Sequence, residues 1–153
     1  MEVQRLLDLV SSSSALRVFW ISLAVAAAAA PLRAAQGGVE ALVLYAAFSP
    51  FCHQYADRSW SLLGEPLAVC IRCWGVYSGA ALGGFFPRGD VSPRPLWAAL
   101  PFCGGTWMLE AAGIIAIPAA VRFAAGGVAG FAVMQFVARA LAERGHVSAG
   151  LLR

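Results

Sequence analysis

Two long apolar runs dominate the second half of the chain: residues 96–117, whose only charge is Glu110, and residues 119–141, with Arg122 near the start and Arg139 near the end. Each is long enough to form a helix across a hydrocarbon layer of roughly 30 Å. A soluble fold of 153 residues has no interior large enough to hide both, because 60% of the residues are hydrophobic. The charged fraction is 12%, about half that of an ordinary soluble domain, and the mean hydropathy is +0.73. The apolar residues come in blocks, not in 3.6- or 2-residue alternation with polar ones, so lipid is the expected solvent.

The rest of the chain fits the same reading. Residues 15–35 form a further run with Arg17 and Arg33 near its ends, where long side chains reach the headgroup layers. Its uninterrupted apolar core, residues 18–30, is short, and Ala34 and Ala35 imitate a cleavage site, so a signal peptide is the alternative to a retained first helix. Residues 39–51 stop at Pro50 and are too short to span alone; they predict a partial or re-entrant helix. Residues 67–86, broken only by Arg72, predict another span, and residues 87–95, with three prolines, predict an aqueous loop. The expected fold is therefore an all-α, multi-pass membrane helix bundle of about four spans plus one partial helix. Residues 1–14 form a polar lead-in, 15–142 the single membrane domain with a Cys/His motif segment at 52–73, and 143–153 a polar tail.

All eleven basic residues are arginine, and they are scattered, which argues against a nucleic-acid surface. With the N-terminus inside, seven arginines fall inside and four (Arg33, Arg58, Arg72 and Arg122) outside. This predicts a multi-pass protein of the cell membrane with both termini cytoplasmic. The lipid bilayer is the one partner the composition names. A homo-oligomer is left open, as is the substrate.

The chemistry is concentrated in FCHQYADRSW and the following SLLGEPLAVCIRCWGVYSG. Cys70 and Cys73 lie three residues apart at the expected start of a helix, so their sulfurs can face one point. The helix N-terminus and Arg72 both favour the thiolate forms. Cys52 or His53 can add a third ligand from the preceding loop, giving a Cys/His site suited to zinc or a similar soft-ligand metal. Adjacent side chains point apart, so one of the two is expected to join the shell more readily than both. Cys103, alone in an apolar run, reads as a packing residue, and His146 in the tail does not read as a ligand.

These residues resemble a known family. Cys52, His53 and Gln54 followed by Arg58 and Ser59, then Gly64 and Pro66, then Val69, Cys70, Arg72, Cys73, Gly75, Tyr77 and Gly79 are similar to the motifs of the small predicted membrane proteins grouped as domain of unknown function 2085. The resemblance covers roughly residues 45 to 135. One departure is Glu110, which stands where the family's aspartate-glycine pair is expected, whereas Arg122 with Gly126 is similar to the family's arginine and glycine. The resemblance implies a membrane protein and no particular activity.

Charged groups inside apolar runs need partners, since a lone one near the bilayer centre costs at least roughly 2.5 to 3.5 kcal/mol. Glu110 and Arg122 predict an interhelical ion pair. The alternative places Glu110 beside the cysteines as ligand, general base or proton carrier. Arg58 and Arg72 are then expected to offset thiolate charge or to hold an anionic group such as phosphate. Glu110, Arg58 and Arg72 are accordingly the candidates for catalysis. Gly75, Gly79 and Gly83, with Gly126 and Gly130, predict closely packed helices. Trp60, Trp74, Tyr77 and Trp97 suit an interfacial belt.

The leading functional expectation is a membrane metal-binding protein, with a metal-dependent enzyme as one form of it. A membrane thiol-disulfide oxidoreductase using Cys70 and Cys73 is the alternative, and a small transport or partner subunit a third. CIRCW lacks the histidine of covalent c-type haem attachment, and no HExxH motif is present.

Overall fold

The structure, a computed structural model, describes residues 13–86 and 94–150. The expected lead-in, except its last residues, and most of the loop expected at 87–95 lie outside the described residues. Five helices carry the fold: α1 Ser13–Ala35, α2 Glu40–Phe48, α3 Ile71–Gly83, α4 Arg94–Ala111 and α5 Ala119–Gly150. Between α2 and α3 lie a 3-10 turn, Ala56–Arg58, and a minimal antiparallel hairpin, β1 Ser61–Leu62 with β2 Glu65–Pro66. The hairpin departs from the all-α expectation. Leu63 and Gly64 both take positive φ, the backbone pattern of a tight two-residue hairpin turn.

Among the described residues, two helices, α1 and α5, are long and apolar enough to cross a membrane. Only 17% of the apolar window in α1 and 33% of that in α5 is buried in the protein. The rest faces outward, as in Val18, Phe19, Val25 and Val128, each more than half exposed. Apolar surface of this kind needs lipid or another protein against it. The short helix α2 matches the partial helix expected at 39–51.

The other expected spans are shorter than their apolar runs. α3 has 13 residues and is about 20 Å long at 1.5 Å per residue. Residues 67–70 are not helical. There the Leu67 N–H donates to the Trp60 carbonyl at 2.8 Å and the Ala68 N–H to the Ala27 carbonyl at 3.3 Å, which takes this stretch out of the helix. α4 stops at Ala111, six residues before its apolar run does, because Gly113 reverses the chain. The Ile114 N–H bonds the Leu109 carbonyl and the Gly113 N–H the Glu110 carbonyl, a Schellman ending. α5, by contrast, continues past residue 141 to Gly150. Leaving the apolar layer does not end a helix when the next residues, such as Ala142, Glu143 and Arg144, are good helix formers.

The most extensive interface joins α3 to α5. A Cβ on Gly75 would collide with the Phe123 carbonyl and one on Gly79 with the Gly127 carbonyl; from the other side, one on Gly126 or Gly130 would strike the carbonyls of Arg72 or Val76. The two backbones therefore touch along the glycine stripes. Gly79→Ala is expected to lower stability by about 1–3 kcal/mol through overpacking. Gly104→Ala, where an added Cβ meets nothing within 4 Å, should be neutral or stabilising by up to about 1 kcal/mol. Thermal melting in detergent checks this, and equal melting of the two variants would remove the glycine contact as a source of stability.

A second cluster, Ala27, Ala30, Phe48, Cys52, Ala68, Val69 and Cys70, is almost fully buried. It locks α1, the end of α2 and the segment entering α3 together. Trp74 strengthens it by donating its indole N–H to the Ala24 carbonyl of α1 at 3.1 Å.

Candidate metal centre

Cys52 is set by the way α2 ends. The N–H groups of Phe51 and Cys52 both return to the Phe48 carbonyl, at 3.1 and 3.0 Å, which turns the chain back toward the bundle. Gln54 then adopts a φ of 53°. Its amide nitrogen donates to the carbonyls of Tyr45 at 2.7 Å and Ala68 at 2.8 Å. Tyr45 also gives its hydroxyl to the Pro66 carbonyl. These bonds clamp the Cys52 loop to the extended strand that leads into Cys70.

Cys70 is the N-cap residue of α3, with extended backbone, and Cys73 lies in the helix's first turn. The Cys70 N–H donates to the Cys52 sulfur at 3.1 Å. The three sulfurs of Cys52, Cys70 and Cys73 all lie within 4.8 Å of one another. All are free thiols; Cys52 and Cys70 are buried and Cys73 is half-buried. Hydrogen bonds from the Cys70 thiol, then from the Cys73 thiol, with further N–H donation from Cys70 and Gln54, hold the Cys52 thiol far below the usual thiol range despite burial. A thiol beside a helix N-terminus has the surroundings that favour its thiolate form, the form that binds a soft cation. Tetrahedral zinc–thiolate bonds of about 2.3 Å place sulfurs about 3.8 Å apart, a spacing the cluster accommodates.

His53 lines the same cavity as the cysteines but is not in the close sulfur group. Its ring stacks on Tyr55, with centroids 4.5 Å apart, and its Nδ1 accepts the Tyr55 N–H at 3.2 Å. The backbone turn thus sends Cys52 inward and His53 to the outer rim.

Beside the sulfurs stands an ionic triad drawn from three helices. Glu110, near the end of α4, gives Oε2 to Arg72 of α3 at 3.3 Å and Oε1 to Arg122 of α5. The Glu110 side chain is 8% exposed, so the triad closes largely away from solvent. Both carboxylate oxygens are thus engaged, one by each arginine. Arg58 comes from the 3-10 turn, over the Tyr55 ring at 5.8 Å and 3.9 Å from Asp57. Sulfurs, His53, Arg58 and the triad line one cavity of about 220 Å³, together with the apolar Phe51, Ile71 and Trp107. Cys103 takes no part in the sulfur group.

Two contributors were not singled out from sequence as site residues. Gln54 acts as the clamp, and its signal was its place directly after Cys52 and His53. Arg122 lines the cavity, and its signal was an arginine inside an apolar run.

The profile of a family of predicted membrane proteins, DUF2085, matches residues 52–136. A 42-residue stretch is 45% identical to part of an uncharacterized protein of Methanocaldococcus jannaschii, covering 28% of this chain. The match spans only 27% of that relative's length. No solved structure matches the chain. The family match takes in Cys52, the paired cysteines, the triad and most of the α3–α5 contact, more than half of the 153 residues, and so the chain belongs to the DUF2085 family of predicted membrane proteins.

Proposed function

We propose that this protein is a multi-pass membrane protein that binds a soft-ligand metal ion, zinc foremost, through Cys52, Cys70 and Cys73 near one membrane surface. The observation that carries the reading is the convergence of three free sulfurs within 4.8 Å, with the Cys70 N–H already donating to the Cys52 sulfur. Three thiolates leave a fourth position for water, a small ligand or His53. A complete Cys3His shell would be structural, whereas an open position would permit metal-assisted chemistry.

Alternating helix ends support the membrane placement. Cys70 and Arg72 start α3, Glu110 ends α4, Arg122 starts α5, and Arg33 ends α1. Four crossings by α1, α3, α4 and α5 bring these ends to one face. α3 is short for a crossing, and the extended stretch 67–70 completes it. That stretch is buried in protein, the condition under which non-helical backbone is tolerated at membrane depth. Contacts of α1 with the cysteine segment, such as Ala68 N–H to the Ala27 carbonyl, support a retained first helix over a cleaved signal. The arginine count, seven against four, favours the outer face for the site and a cytoplasmic position for both termini.

The test is metal content per chain together with free-thiol count after mild purification in detergent. About one bound ion per chain and thiols protected until a chelator is added are expected. Metal-free protein holding a reducible Cys70–Cys73 disulfide would replace this reading with the thiol oxidoreductase. The thiol count, taken with a membrane-impermeant reagent and chelator before and after lysis, also reads orientation: labelling only after lysis would place the site on the cytoplasmic face.

A further inference from the structure

Three guanidinium groups line the cavity in front of the cysteines, those of Arg58, Arg72 and Arg122. Arg58 lies 3.9 Å from Asp57, and Arg72 and Arg122 share the single carboxylate of Glu110. Arg72 and Arg122 each engage Glu110 through a single Nη2 atom. A guanidinium offers five N–H donors in a fixed fork, and the buried Nε atoms of both residues have no hydrogen-bond partner. A buried, charged donor left unpaired is unfavourable, so the pair is incomplete as it stands.

Glu110 holds the two guanidiniums side by side, and a group held in place loses little freedom when a ligand arrives. Planar forks with spare donors suit an anion bearing several oxygens. A tetrahedral oxyanion can accept from Arg72, Arg122 and Arg58 together, which the two oxygens of a carboxylate do less completely. Phe51, Ile71 and Trp107 also line the cavity and offer apolar surface to an uncharged substituent of the anion.

We infer that this cavity binds a phosphate-type oxyanion carrying an organic substituent, with Arg72 and Arg122 as its principal donors and Arg58 at the mouth. The inference rests on reading the cavity as the functional site, but its donors are arginines and do not require the metal. The same chemistry is offered by a lipid phosphate headgroup and by a soluble phosphate ester.

The experiment is equilibrium dialysis of radiolabelled inorganic phosphate against the full-length protein in a neutral detergent at low salt, with metal content measured on the same samples. Saturable binding near one per chain is expected. Arg72→Gln and Arg122→Gln should each weaken it about tenfold or more. Arg58→Gln, outside the Glu110 pairing and partly exposed, should weaken it about threefold while keeping the wild-type melting temperature. Displacement of the label by phosphatidic acid in the micelles, but not by glycerol phosphate, assigns the site to a lipid headgroup; the reverse assigns it to a soluble ester. Folded wild-type protein that binds no phosphate, or unchanged affinity in every variant that folds, overturns the inference. Metal without phosphate sinks this inference alone, and phosphate without metal sinks the metal reading alone.

Discussion

Cys52→Ser, Cys70→Ser and Cys73→Ser are each expected to lose most bound metal, while Cys103→Ser keeps it. The three sulfurs stand within 4.8 Å of one another and Cys103 is not among them. A removed thiolate takes away both a bond and a negative charge. The affinity loss should therefore exceed the roughly 10- to 100-fold that loss of an outer-shell partner costs. Competition with a chromophoric chelator measures it. His53→Ala separates two forms of the site: a loss as large as that of a cysteine means a closed Cys3His shell, and a small loss means three sulfurs with an open position. Unchanged metal content in Cys73→Ser would end the three-sulfur assignment, since that residue shares the first turn of α3 with no alternative ligand role.

Glu110→Gln should cost about 3–5 kcal/mol of stability, the range for removing one partner of a buried ion pair. The effect is large because one carboxylate neutralises Arg72 and Arg122 together. Without it, two guanidiniums from different helices face each other in largely apolar surroundings. α4 rests mainly on α5, so the triad is also a principal tie between α4 and α3. The double variant Glu110→Gln with Arg122→Gln should recover part of the loss, because it removes one of the stranded charges. An interaction of about 1 kcal/mol or more in that cycle, measured by melting in detergent, is the expected sign of coupling. Wild-type melting of Glu110→Gln would show that the triad does not hold the bundle.

Some of this architecture was legible in local sequence. Apolar run length and proline breaks depend on neighbours only, and they marked α1, the short α2 and the body of α5. The i, i+3 geometry of a helix turn likewise sufficed to bring Cys70 and Cys73 to one point. Hydropathy overstated α3 and α4, because residues 67–70 and 112–117 are as apolar as the helices they flank. The first stretch is decided by partners elsewhere, Trp60 and Ala27, and the second by the local reversal at Gly113.

The choice between Cys52 and His53 was not readable from sequence. Adjacent side chains point opposite ways, and only the clamp of Gln54 onto Tyr45 and Ala68 selects which of them turns inward. The triad was half visible: Glu110 and Arg122 are near in sequence and both needed a partner. Arg72, 38 residues before Glu110, joins them only because the glycine stripes bring α3 and α5 into backbone contact. Sequence by itself thus determined that the chain is mostly helical and strongly apolar and which residues are candidates for the chemistry, since hydropathy and side-chain type belong to each residue alone. Tertiary structure decided which of those residues share one cavity, because that depends on helix ends meeting across the bundle, a property no single segment contains.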